Sequence, residues 1–378
     1  MSDLLTQIAH SGDAAANERV AAELETLRAR FEEAAAHLKD KNIEDLPWYV
    51  MIGAPGSGKT TALLNSGLRF PLMTKGGTTQ VSGVGGTRNC DWWFTDEAVL
   101  LDTAGRYTTQ ESNSRADAAA WHGFLALIKQ ARPLHPLNGI LISVSAADLM
   151  LWTKLERTKF AAHVRMRISE IYAALSTRLP IYMLVTKCDL IAGFNEFFGD
   201  LSQDARAQVW GTTFPTDIDP AFMGAPYAKE FEALEERLGA EMLARIHEEK
   251  DLQRRASIYR FPQQFHALGP LLAEYLVQSF STQVDGKPLL LRGVYFTSGT
   301  QEGNPIDRVL GALASTFKLE RGSPVVEGST GKSFFVTRLL REVVFPEAKM
   351  IAVDEAPRAM QSPAPPPAPA PATVDFEL

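Results

Sequence analysis

Gly53-Ala54-Pro55-Gly56-Ser57-Gly58-Lys59-Thr60 decides how this chain is read. The octapeptide completes the P-loop pattern G-x-x-x-x-G-K-[ST]. It stands between an apolar run, Trp48-Tyr49-Val50-Met51-Ile52, and Thr61-Ala62-Leu63-Leu64, which reads as a helix start. That setting matters, because the pattern cradles phosphates only between a strand and a helix. Its glycines let the backbone curl until successive N–H groups converge, and the helix N-terminus adds its own. Gly53, Ala54, Pro55, Gly56, Ser57 and Gly58 form the cradle, and Thr61 lies at its exit. Lys59 reaches the terminal phosphates, and the Thr60 hydroxyl holds Mg²⁺. A Gly-rich surface turn is the bland alternative, and the strand–loop–helix context weighs against it.

Outward from the loop the chain alternates strand and helix. Apolar, β-branched runs fall at 48–52, 98–101, 139–144 and 181–186, with helical stretches such as 121–128 and 149–178 between them. Near-continuous hydrophobic strands separated by helices predict a mostly parallel sheet covered on both faces. Cys90-Asp91-Trp92-Trp93-Phe94 returns through Thr95-Asp96-Glu97 into the 98–101 run, so a hairpin adds one antiparallel strand. The fold class is α/β: a P-loop NTPase with a doubly wound, mostly parallel sheet and a helical insertion before its last strand.

The organisation follows from the same patterns. Residues 1–44 form an N-terminal helical segment, in which Val20, Leu24, Leu27, Phe31 and Leu38 make one apolar stripe for packing on the next domain. Residues 45–194 are the first part of the NTPase domain. Residues 195–289 read as a helical insertion or lid, with Phe231, Leu234, Leu238, Met242 and Ile246 on one amphipathic helix and Leu268, Leu271, Leu272, Tyr275 and Leu276 on another. Residues 290–348 supply the last strand and C-terminal helices, one near 305–318. Residues 349–378, rich in Pro and Ala, read as a disordered tail.

Composition narrows the class. The chain has 378 residues, a net charge of −7 and no long basic run, which argues against nucleic acid as its main partner. Only Cys90 and Cys188 occur, so neither a disulfide framework nor a zinc site is expected. No apolar stretch reaches transmembrane length, and the first residues lack the basic and apolar regions of a signal peptide. The expectation is a cytoplasmic chain.

Three further stretches carry chemistry. Asp102-Thr103-Ala104-Gly105 follows the 98–101 strand, where Asp102 can bind Mg²⁺ and the Gly105 N–H can sense the terminal phosphate. Thr186-Lys187-Cys188-Asp189 also ends a strand, which is where doubly wound folds put ligands. The Asp189 carboxylate can accept two hydrogen bonds from guanine that adenine cannot offer, and the Lys187 stem can lie over a base. Ser298 and Gly299, at the next strand's end, can supply a backbone donor beside it. Between the P-loop and the hairpin, the Gly-rich stretch 75–88 can be ordered by γ-phosphate and Mg²⁺. In it Thr87 is the choice for a second Mg²⁺ hydroxyl, with Thr78 and Thr79 as rivals, and Arg88 is a candidate for transition-state charge. Each of these stretches has an ordinary-loop alternative. Gly331-Lys332-Ser333 is a decoy, since Val326 stands where a P-loop needs glycine.

The motifs resemble those of small GTPase-like P-loop proteins in order and spacing. Words around them are more specific. Leu46-Pro47-Trp48-Tyr49, Asn65-Ser66-Gly67-Leu68-Arg69-Phe70-Pro71 and Gly85-Gly86-Thr87-Arg88-Asn89-Cys90-Asp91-Trp92-Trp93 are similar to those of the IcmF/TssM family of type VI secretion. So are Asp102-Thr103-Ala104-Gly105-Arg106-Tyr107, Arg292-Gly293-Val294-Tyr295-Phe296-Thr297-Ser298-Gly299 and the Phe334-Phe335…Phe345-Pro346-Glu347 segment. The resemblance implies the cytoplasmic nucleotide-binding domain of a bacterial inner-membrane protein. It implies as partners TssL-like and TssJ-like proteins of the secretion membrane complex, and baseplate components. The family's transmembrane and periplasmic regions have no counterpart in these residues, so an excised domain or a truncated member is expected.

One departure bears on catalysis. GTPase-like proteins usually carry a water-orienting Gln after Asp-x-x-Gly, and here the residue is Arg106. Arg cannot accept a hydrogen bond, so hydrolysis should be slow unless Gln110 or a partner contributes. The leading reading is an ATP- or GTP-dependent switch with Mg²⁺, in which ligand binding orders 75–88 and 105–115. A non-hydrolysing docking scaffold is the second reading. A metabolic phosphotransferase is third, because no acceptor-binding feature stands out.

Overall fold

The computed structural model describes residues 21–22, 24–29, 32, 46–70, 90–110, 114–216, 224–281, 283–284, 287–299 and 332–350. The Gly-rich stretch 75–88, the helix expected near 305–318 and the Pro/Ala tail lie outside the described residues.

In chain order, β1 (Trp48–Ile52) leads through the loop to α1 (Lys59–Leu64). The hairpin of β2 (Asp91–Phe94) and β3 (Val99–Asp102) follows, then α2 (Gly105–Thr109) and α3 (Ser114–Ala131). Next come β4 (Gly139–Ser145), α4 (Ala146–Leu151), α5 (Lys154–Leu175) and β5 (Pro180–Thr186). The expected 149–178 helix is thus two helices. The break falls where Thr153 caps α5: its hydroxyl accepts from the Glu156 N–H, while Glu156 accepts from the Thr153 N–H at 2.7 Å.

Short helices α6 (Phe194–Phe198) and α7 (Gln203–Ala207) precede an edge strand, β6 (Gly211–Thr213). Two long helices, α8 (Gly224–Glu248) and α9 (Leu252–Phe280), lead through a small hairpin, β7 (Gln283–Val284) and β8 (Lys287–Pro288), to the last strand, β9 (Leu290–Phe296). The 195–289 region, read from sequence as helical, therefore also contributes an edge strand to the main sheet and a small hairpin.

Among the described residues, seven of the nine strands form one sheet in the order β2-β3-β1-β4-β5-β9-β6, and β7 and β8 pair separately. β3, β1, β4, β5 and β9 run parallel, and β2 and β6 are antiparallel edges. Side chains alternate between two faces, as strand geometry requires. Val50, Ile52, Leu101, Ile142, Met183 and Phe296 enter the larger core, roofed by α3, α5 and α9. Met51, Leu100, Leu141 and Leu184 enter a smaller one, covered by α1 and by Val336, Leu339, Leu340 and Val344 of the C-terminal segment. Both faces are dry, which is why the strands read as unbroken apolar runs.

The buried side chains of α8 and α9, including Phe231, Leu234, Phe265 and Leu268, belong to the larger core along with the sheet. Of the N-terminal stripe, Leu27 is buried in that core and Leu24 packs beside it, over Gly123 of α3.

Candidate phosphate-binding site

The parallel strands bring their C-terminal ends together around residues 53–58. Gly56 and Gly58 take left-handed backbone angles (φ 72° and 85°), which give the loop its curl. Beneath it two strands hold it. The Thr186 hydroxyl donates to the Ser57 carbonyl at 2.5 Å, and Ser57 Oγ lies 2.6 Å from Ser143 Oγ on β4. A β-carbon on Gly53 would stand 2.4 Å from the Ser143 carbonyl oxygen, so only glycine lets the loop sit this close to β4.

Lys59 begins α1 and is buried, with 6% of its surface exposed. Its ammonium donates to the carbonyls of Gly53 (3.0 Å) and Ala54 (3.1 Å), two of the three hydrogen bonds an ammonium can give. Burial pushes its pKa down to about 8, against the opposing pull of the Asp102 carboxylate. The Thr60 hydroxyl donates to Asp102 Oδ2, so the two expected metal ligands stand side by side. A hydroxyl and a carboxylate are the hard oxygen donors Mg²⁺ takes, so this pair fits the ion. Thr87 lies outside the described residues, so the third expected ligand has no position here.

Asp102, buried at the end of β3, leads straight into α2 across the loop. The Gly53 N–H donates to Thr108 Oγ1 at 3.0 Å. Gly105 packs on the Pro55 backbone. Arg106 turns the other way: its Nη1 is 2.6 Å from Asp117 Oδ1 on α3, and its guanidinium lies 4.8 Å from the Tyr107 ring centroid. Gln110 ends α2 in a left-handed conformation (φ 51°), its N–H donating to the Arg106 carbonyl. Its side-chain nitrogen is buried without a hydrogen-bond partner among the described residues.

The expected base-reading residues also converge. Lys187 turns the chain with φ 55°, and Asp189 follows, buried and accepting from the Ser298 hydroxyl at 2.6 Å. Burial raises the Asp189 carboxyl above its usual range, partly offset by the Ser298 bond and by Lys187. Gly299 lies against α1, where an added β-carbon would be 2.4 Å from Thr61 Cγ2. Residues 53–61 and the expected base-reading segments therefore touch.

Four participants escaped the sequence reading: Ser143, Thr108, Asp117 and Asp148. Asp148, in the first turn of α4, has its carboxyl raised by burial and held back by nearby Lys187. Its only sequence signal is a position just beyond a strand end. Among the described residues no three or more His, Cys, Asp or Glu form a metal-binding group, and no helix is long and apolar enough to cross a membrane.

The strand order, the loop between β1 and α1 and its buried lysine define a P-loop NTPase fold. The chain belongs to the IcmF/TssM family: the model of the IcmF-related N-terminal domain matches residues 114–363. It is 50% identical over 350 residues to the type VI secretion system component TssM1 of Pseudomonas aeruginosa, a match covering 90% of this chain and 32% of that protein. The chain thus spans about a third of the length of that curated relative. Among solved structures, the Arl6 BBS3 small GTPase from Trypanosoma brucei with bound GppNp overlaps 38% of this chain and 68% of its own, at 14% identity and TM-score 0.22. A GTP-binding protein from Sulfolobus solfataricus in complex with GDP overlaps 49% of this chain and 54% of its own, at 13% identity and TM-score 0.23. Those scores are low, and the fold assignment rests on the strand order and the loop.

Proposed function

We propose that this chain binds a nucleoside triphosphate with Mg²⁺ and acts as a slow-hydrolysing conformational switch within a type VI secretion membrane complex. Family membership supports a setting at the cytoplasmic face of the inner membrane, with TssL-like and TssJ-like proteins and baseplate components as partners. One observation carries the chemistry: the buried Lys59 ammonium beside the Thr60–Asp102 pair. An ammonium out of water is costly, and the Asp102 carboxylate offsets only part of that cost here. A polyphosphate supplies the further anionic charge, and the backbone N–H groups of residues 53–58 share it.

Thr60 and Asp102 would hold the Mg²⁺, which when bound neutralises charge on the phosphate oxygens. Turnover is attack of water on the γ-phosphorus. The new P–O bond forms as the bond to the β–γ bridging oxygen breaks, leaving nucleoside diphosphate, inorganic phosphate and a proton released to solvent. The pairing of Arg106 with Asp117, and the absence of Gln at position 106, support a slow rate. Asp189 is the candidate for selecting guanine over adenine.

Titration with fluorescent ATP and GTP analogues, with and without Mg²⁺, tests this against Lys59→Ala. Binding that needs Mg²⁺ and weakens at least about tenfold in the variant is the expected result. Equal affinities for both proteins overturn it. A docking scaffold is the second reading, favoured by the closed state of Asp189, Ser298 and Thr186, all buried and already hydrogen-bonded. It prevails if neither nucleotide binds.

A further inference from the structure

We infer that Asp117 is the positioning residue that sets the rate of hydrolysis, by holding the Arg106 guanidinium away from the transferring phosphoryl group. This rests on the triphosphate-binding reading above. Arg106 directly follows Gly105, whose backbone lies against Pro55 of the phosphate loop. A cation next to the residue that packs on this loop is a natural source of transition-state charge, because the equatorial oxygens gain negative charge as the phosphoryl group transfers. Yet its guanidinium is engaged elsewhere. Asp117 Oδ1 holds it at 2.6 Å, and that carboxylate is 2% exposed while Arg106 is 30% exposed.

The burial asymmetry says which partner moves. Asp117 sits in the first turn of α3, and the rest of that helix is locked in the larger core by Trp121, Phe124 and Ile128. Arg106 belongs to a five-residue helix whose Gly105, Tyr107 and Thr108 are buried, Tyr107 in the same core as Trp121, while its own side chain is partly exposed. The guanidinium can swing while both helices stay, and that swing opens the ion pair. Triphosphate or a docking partner that draws the guanidinium away thereby releases Arg106 to act in cis. The guanidinium lies 4.8 Å from the Tyr107 ring centroid, and that ring 6.3 Å from the Trp121 ring, which makes Trp121 a reporter of that motion.

Single-turnover hydrolysis at saturating triphosphate tests the assignment. Asp117→Asn keeps the shape and removes the charge, and the expected result is a rate increase on the order of tenfold or more with little change in nucleotide affinity. Asp117→Glu restores the pair and returns the slow rate. Arg106→Ala added to Asp117→Asn abolishes the gain. In 5-fluorotryptophan-labelled protein, the Trp121 fluorine resonance, assigned with Trp121→Phe, should shift in Asp117→Asn and, in the wild type, on adding triphosphate. Should Asp117→Asn not fold, Asp117→Ser takes its place, and the wild-type resonance stands as an independent reading. Triphosphate that binds without moving that resonance, an Asp117 variant no faster than wild type, or a double variant as fast as the single one overturns the inference alone. Failure of the wild type to bind any triphosphate overturns the reading beneath it as well.

Discussion

Gly105 is pressed against Pro55 backbone to backbone: a β-carbon on Gly105 would stand 2.2 Å from the Pro55 nitrogen and 2.4 Å from its Cα. Neither partner can swing aside as a side chain does. The strand-end loop that leads out of Asp102 is therefore seated on the phosphate loop itself, and the Thr108–Gly53 hydrogen bond fastens the next turn.

Gly105→Ala should lift α2 from the loop. Overpacking of this kind costs about 1–3 kcal/mol, and urea unfolding measures it. Hydrogen exchange should accelerate over residues 105–109 while the amides of β1 and β4 keep their protection. Unchanged exchange over α2 would show that the contact yields without displacing the helix.

Lys59 gives nucleotide binding a pH dependence of definite sign. Its pKa falls from 10.5 in the unfolded chain to about 8 in the fold. Between those values the unfolded chain holds a proton that the folded one lacks, so this group makes stability rise with pH across that window. Affinity for phosphate runs the other way, because the ligand needs the charged ammonium. The dissociation constant should be flat below pH 8 and then climb by about tenfold per pH unit. Titrations from pH 7 to pH 9.5 check this, and a flat profile would remove Lys59 from the phosphate contact.

Asp189 should distinguish guanine from adenine if it reads the base. Its carboxylate accepts from Ser298 in this structure and can accept a paired donor edge from guanine. Asp189→Asn turns one acceptor into a donor, and a lost bidentate base contact is worth about 1–3 kcal/mol. Competition of ATP against GTP should then show the guanine preference falling by tenfold or more, on the scale of about 1.4 kcal/mol per factor of ten. An adenine preference that Asp189→Asn leaves unaltered would remove Asp189 from base recognition.

The parts of this molecule that sequence made legible are those whose chemistry is contiguous. Residues 53–60 must be neighbours to build a cradle, and the strand runs are apolar throughout because both sheet faces are dry. Long-range partners left no such trace. Nothing around Asp117 announces that it will meet Arg106, and Thr108 becomes a ligand for the Gly53 N–H only once β3 lies beside β1. Strand β6, Gly211-Thr212-Thr213, has no apolar signal, since it is an edge strand recruited by β9. Helix α9 defies a local rule as well. It runs through Pro262 and Pro270, each of which removes a helical hydrogen bond, because Phe261, Phe265, Leu268 and Leu272 anchor it in the core.

The C-terminal segment offers a test of how the second sheet face is closed. Arg292 on β9 grips Glu347 with two hydrogen bonds, at 2.9 and 2.5 Å, and donates a third to the Phe214 carbonyl. The Tyr182 hydroxyl also donates to Glu347, at 2.8 Å, and the Tyr49 hydroxyl to the Val344 carbonyl, at 3.0 Å. Both charged groups are largely buried, so removing one strands the other. Arg292→Met or Glu347→Leu alone should cost about 3–5 kcal/mol, and the double variant should recover much of that loss, because an apolar pair has no charge to desolvate. Urea unfolding of the two singles and the double closes the cycle. Strictly additive losses would mean that the grip contributes nothing of its own, and that the segment is held by Val336, Leu339 and Leu340 packing on Met51, Leu141 and Leu184 alone.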